Sequence, residues 1–108
     1  MKQVIVLRLK DAGVIDEYER RHHEIWPELV REFAESGISE MEIFVRGNEV
    51  IIYSETSDPN SWQRLWASSV HKRWDREMSV LLEYDGDNVK SETLRHVFSL
   101  ADHRSLGN

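Results

Sequence analysis

The stretch Met41-Glu42-Ile43-Phe44-Val45-Arg46-Gly47-Asn48-Glu49-Val50-Ile51-Ile52-Tyr53-Ser54 decides the fold. Its two halves favour β structure, and Gly47-Asn48 between them is a two-residue connection that tolerates positive φ. A β-hairpin is expected there. Upstream, residues 14–36 carry a helical pattern that Pro27 must kink or restart, because proline lacks the amide donor and clashes with the preceding turn. Gly37 supplies a helix stop. Residues 3–9, rich in Val, Ile and Leu, read as a largely buried strand that ends at Asp11 and Gly13. Downstream of Asp58-Pro59-Asn60, the residues Trp62, Leu65, Trp66, Val70, Trp74, Met78 and Leu81 recur at helical spacing to about residue 83, with a break near Ser68-Ser69. The turn-rich run Asp85-Gly86-Asp87-Asn88 leads to a last strand, Thr93 to Leu100, and a loose tail from Ala101.

The order is therefore βαββαβ, the split βαβ pattern of a ferredoxin-like α+β sandwich, with the helices on one face of a mainly antiparallel sheet. The second face has no cover of its own. Val6, Ile43 or Phe44, and Ile51 or Ile52 are too apolar to leave in water, so a second subunit or a ligand is expected over part of it. A homodimer is the simplest arrangement.

A chain of 108 residues fits one domain, residues 1–108. With 14 Lys plus Arg against 20 Asp plus Glu, the net charge is -6, and no basic run tracks a phosphate backbone, so nucleic acid is not an expected partner. The absence of cysteine rules out a disulfide framework, a thiolate nucleophile and a cysteine metal site. Nowhere do about 18 apolar residues run together, and charge interrupts the N-terminal apolar run early, so no membrane segment is read and a cytoplasmic location is expected.

The residues best suited to chemistry lie in Tyr18-Glu19-Arg20-Arg21-His22-His23-Glu24-Ile25-Trp26-Pro27-Glu28-Leu29. Residues four apart on a helix are rotated by only about 40°, so Tyr18 and His22 share a face that Ile25, Leu29 and Phe33 continue, while His23 points about 100° away to solvent. His22 is the inward histidine, able to give or take a proton near neutral pH. Position alone favours a core histidine satisfied by a backbone carbonyl over a catalytic one. No His or carboxylate spacing resembles a metal site, and there is no Gly-rich phosphate loop or nucleophile elbow.

Glu17-Tyr18, Arg20-Arg21-His22 and Ile25-Trp26-Pro27-Glu28-Leu29 closely resemble the first-helix motif of the bacterial L-rhamnose mutarotases, which interconvert the α and β anomers of a deoxysugar. Ile43-Phe44 matches that family's second strand, Arg73-Trp74 with Met78 its tryptophan helix, and Val97-Phe98-Ser99-Leu100 its closing strand, so the resemblance spans about residues 3–100. It implies a dimeric α/β-barrel type of ferredoxin-like fold, and acid/base ring opening and closure of a monosaccharide without metal or organic cofactor. It also implies His22 as the catalytic proton donor, Tyr18 as a sugar contact and Trp74 as one wall of the site. Two positions depart from the pattern. Met41 stands where the family has a sugar-contacting tyrosine, and Asp75 replaces the second tryptophan of a pair, so L-fucose rivals L-rhamnose as the sugar.

Other residues carry less. Trp74 also fits simple core packing with Val70 and Met78, and Trp26 and Pro27 read as structural. Arg20 and Arg21 read as a solvated face, Glu24 and Glu28 as surface carboxylates near His22, and His96 as a residue that turns inward if its strand does. The same architecture also hosts cofactor-free monooxygenases, haem-binding proteins and non-catalytic sugar-binding modules, which remain alternatives at this level.

Overall fold

The computed structural model describes residues 1–107, without the side chains of 105–107. Strand β1 (Lys2–Arg8) leads through a 3-10 turn, Ala12–Val14, into helices α1 (Ile15–His23) and α2 (Pro27–Glu35). The hairpin β2 (Ile38–Arg46) and β3 (Glu49–Thr56) follows, then helices α3 (Ser61–Ala67) and α4 (Ser69–Met78). Two short strands, β4 (Tyr84–Asp85) and β5 (Asn88–Val89), precede the last strand, β6 (Ser91–Leu94). The main sheet has the order β2-β3-β1-β6, and every neighbouring pair is antiparallel. This is the ferredoxin-like α+β arrangement that the hairpin and its flanks imply.

Local chemistry explains each break. Trp26 is extended (φ -68, ψ 133) and Pro27 opens α2 at its first turn, so the proline restarts the helix rather than kinking it. Ser68 breaks the later helix in the same way, being extended at φ -70, ψ 148, and its Oγ caps α4 by accepting from the His71 amide at 3.2 Å. Gly37 turns the chain from α2 into β2 at φ 95, where a Cβ would stand 2.1 Å from Ser57 Oγ, so only glycine fits.

The strands sort their side chains by alternation. Ile5, Ile52 and Ile43 form one cross-strand row beneath the helices, with Leu7 and Val50 beside them. Leu29 and Leu65 (each 0 % exposed) and Met78 descend from the helical layer onto that face, each contributing about 1.5–3 kcal/mol by burial. On the opposite face the register aligns Val6, Ile51 and Phe44 in one row and Val4 with Tyr53. Phe44 and Ile51, not Ile43 and Ile52, are thus the residues turned away from the helices.

The C-terminal segment departs from expectation. The strand ends at Leu94 instead of Leu100; the register that sets Leu94 opposite Val4 leaves only Gln3 and Lys2 of β1 ahead of it, so Val97 and the residues after it have no strand to pair with. Val97, Phe98 and Leu100 are consequently exposed, at 84 %, 63 % and 62 %. His96 projects into solvent with them, its Nε2 3.1 Å from the Phe98 carbonyl, and does not approach α1. Residues Leu100–Gly107, part of the expected tail, form a 3-10 helix, and Asn108 lies outside the described residues. The radius of gyration, 15.1 Å, exceeds the about 13 Å of a compact chain this long, consistent with a segment that leaves the body.

Candidate active site

Helix α1 sets the geometry. Its i, i+4 spacing stacks the Tyr18 and His22 rings with centroids 4.3 Å apart and tilted by 36°. Tyr18 is 4 % exposed and His22 is half-buried, whereas the His23 side chain is 75 % exposed beside Glu19. The inward histidine is the one that periodicity selects. His22 Nδ1 lies 2.9 Å from the Tyr18 carbonyl oxygen. A carbonyl only accepts, so Nδ1 carries a hydrogen and the neutral ring presents a bare Nε2 for proton exchange. Burial lowers the His22 pKa below its ordinary 6.5; the Tyr18 carbonyl opposes this shift and the neighbouring His23 adds to it.

Helix α4 supplies the facing wall. Trp74, 8 % exposed, meets His22 edge-on at 5.3 Å and Trp26 edge-on at the same distance, so one indole joins α1, α4 and the link between α1 and α2. Trp26 is itself covered by the Arg73 guanidinium at 5.4 Å, and Arg73 reaches Glu28 at 3.1 Å. Trp26 thus does more than pack: it backs the indole that backs the histidine.

The arginines of α1 also hold a position. Glu17 accepts from Arg20 at 2.6 Å and from Arg21 at 2.8 Å, which pushes its carboxyl down to about 2. Arg21 further donates to the Glu77 carbonyl at the C-terminal end of α4. That bond ties together the helices that carry His22 and Trp74. A sequence reading of solvated charge misses it, since nothing in the local pattern reports a contact 56 residues away.

Two spaces meet at this histidine. A cleft of about 410 Å³ lies between α1 and the edge strand β2, lined by Tyr18, His22, Ile43 and Phe44 among others, and its volume is in the range of small-molecule pockets. Deeper in, between helices and sheet, a cavity of about 50 Å³ is bordered by Tyr18, His22, Met41, Trp74, Asp75 and also His71. All five residues singled out in the sequence therefore converge on it. A 980 Å³ hollow between α4 and the β4–β5 hairpin is larger but open, and it gathers Lys10, Lys72 and Arg76 without a histidine. Asp75 borders both spaces, and its Oδ1 accepts from Tyr84 O–H at 2.8 Å.

His71 and Tyr84 are the neighbours that sequence inspection does not single out. Asp75 lies one helical turn after His71, a spacing that could have flagged the pair. Among the described residues, no group of three or more His, Cys, Asp or Glu is placed to hold a metal ion, and no helix is long and apolar enough to cross a membrane.

Comparison with known proteins identifies the family. Residues 2–100 match the family described as L-rhamnose mutarotase. The chain is 33% identical over 88 residues to the L-rhamnose mutarotase of Oceanobacillus iheyensis, covering 79% of this chain and 85% of the relative. It is 31% identical over 103 residues to that of Flavobacterium johnsoniae, covering 93% and 95%. The crystal structure of an L-rhamnose mutarotase from Formosa agariphila superposes with a TM-score of 0.79 over 92% of this chain and 97% of that one, at 24% identity. By sequence match and by fold, this chain belongs to the L-rhamnose mutarotase family of carbohydrate isomerases.

Proposed function

We propose that the protein interconverts the α and β anomers of a 6-deoxy-L-hexose, with L-rhamnose the first candidate and the stereoisomeric L-fucose the second. The observation that carries this reading is His22 itself. Its Nδ1 is held 2.9 Å from a carbonyl and its ring is clamped between Tyr18 and Trp74, at the point where a sugar-sized cleft meets an inner cavity. Ring opening needs a proton delivered to the ring oxygen while the anomeric hydroxyl gives one up. In its protonated form, His22 donates from Nε2 to the ring oxygen. The C1–O5 pair leaves with the oxygen, the aldehyde rotates about C1–C2, and reclosure on the other face reverses each transfer. A lowered pKa makes the imidazolium a stronger acid and places the fall of its donor form below pH 6.5.

Tyr18 offers its phenol to a sugar hydroxyl and, with burial pushing its pKa up, stays protonated. Trp74 offers the edge of the cavity to the C–H side of the pyranose. Met41 and Asp75 lie in the cavity wall, where they set which hydroxyl pattern fits. Anomer exchange measured by saturation-transfer NMR on L-rhamnose and L-fucose tests the assignment. Faster exchange than in buffer on one or both is expected; buffer-rate exchange on both defeats it.

We further infer a homodimer formed through the uncovered sheet face. Phe44 is 60 % exposed and Leu94 48 %, and the protruding Val97 and Phe98 add apolar surface that water does not favour.

A further inference from the structure

His71 is 8 % exposed, and its Nδ1 is buried with no hydrogen-bond partner. Leaving a buried polar atom unpaired is costly, and native cores rarely do it. A histidine kept only for packing normally finds such a partner. His71 instead borders the same 50 Å³ cavity as His22, from a different helix, with the Asp75 carboxylate one turn along α4. That carboxylate is in turn oriented by Tyr84 O–H at 2.8 Å. A histidine with an oriented carboxylate one turn along its helix, lining the same cavity as a second histidine, supplies the acid and the base that two-proton chemistry uses.

We propose that His71, supported by Asp75 and Tyr84, is the second proton-transfer residue of the sugar site and takes the anomeric hydroxyl proton while His22 protonates the ring oxygen. This rests on the mutarotase reading above and supplies the base that such a reaction needs. The protons balance. The pair enters with one shared proton, on His22; after opening, C1=O has formed, the C1–O5 bond has broken, O5 holds the His22 proton, and His71 holds the anomeric one. Reclosure on the opposite face returns both, so the pair turns over without net proton exchange. The remaining cavity wall does not compete: α2 and α3 contribute Phe33 and Trp62, the sheet contributes Leu7, Met41, Ile43 and Ile52, and Tyr18 is the other titratable group. Burial lowers the His71 pKa from 6.5, and the Asp75 charge opposes the shift.

The test compares wild type, His71→Leu and His71→Gln by saturation-transfer NMR across pH, with buffer alone as the baseline. Leucine removes the orphaned nitrogen and keeps much of the volume, so His71→Leu should unfold no earlier than wild type. Its anomer exchange should nevertheless fall by roughly 100- to 10,000-fold. The wild-type rate should be bell-shaped in pH with both limbs below 6.5. The leucine variant should keep only the limb that falls with rising pH, and a further variant, His71→Ala, should regain part of the rate on addition of imidazole. If His71→Leu fails to fold, His71→Gln, which hydrogen-bonds but does not titrate, should show the same loss. A wild-type rate and unchanged profile in the folded variant overturn the proposal alone. Buffer-rate exchange by the wild type overturns the mutarotase reading and the proposal together.

Discussion

Replacing Trp74 with alanine tests whether one indole both fills the core and walls the site. Trp74 is 8 % exposed and meets two rings edge-on at 5.3 Å, one on α1 and one between α1 and α2. Truncating a buried tryptophan costs about 3–5 kcal/mol, and each lost aromatic pair of about 0.5–1.5 kcal/mol pushes this site towards the upper end. A domain of 108 residues has a total stability of about 5–16 kcal/mol, so the substitution removes a large share of it. Near this size, each kcal/mol moves Tm by about 4–8 °C, which puts the expected fall at 12 °C or more, up to about 40 °C. Thermal unfolding followed by circular dichroism measures this, at one fixed protein concentration because association shifts Tm. Trp74→Phe, which keeps a ring against His22, should lose less. A fall under about 5 °C in the alanine variant, the effect of about 1 kcal/mol, would refute the packing role assigned to Trp74.

Two further outcomes concern the buried histidines and the open sheet. Burial lowers the pKa of both His22 and His71 below 6.5, so between that value and the folded-state pKa the unfolded chain binds more protons. Stability present at pH 7 should therefore be lost as pH falls from about 6.5 towards 5, before Glu17, Glu49 and Asp58 are protonated, since those carboxyls are held below 4.5 or 3.8 by arginines. Chemical denaturation at pH 7 and pH 5 checks the sign, and equal midpoints would contradict it. Sedimentation at micromolar concentration should give twice the 12.8 kDa of one chain, and a 12.8 kDa species throughout would leave the exposed Phe44 and Leu94 on the open sheet face unexplained.

How far the molecule was legible in its sequence varies by element, for physical reasons. Gly47-Asn48 announces its hairpin because two-residue connections need a residue with positive φ, and Gly47 takes φ 58. Helical spacing sorts His22 from His23 because one turn of offset is a property of the helix alone. The closing strand fails for the opposite reason: Val97 and Phe98 look like a strand in any context, but pairing depends on where β1 begins. The β4–β5 hairpin was hidden in a turn-rich run because strands of two residues carry no alternation. Tyr18, His22, Met41, Trp74 and Asp75 were singled out by motif and resemblance, and the fold brings them around one cavity. His71 was not, because its interest lies in an unpaired nitrogen that only packing reveals. The Arg21 contact with Glu77 likewise exists only once α1 lies beside α4.

The central claim is that His22 transfers the proton that opens the sugar ring. Saturation transfer between the anomeric resonances of L-rhamnose, with wild type and His22→Ala at equal concentration, measures that step directly. The wild type should exchange the anomers faster than buffer, and His22→Ala, still folded, should lose roughly 100- to 10,000-fold of that acceleration. Full exchange by a folded His22→Ala protein would contradict the account.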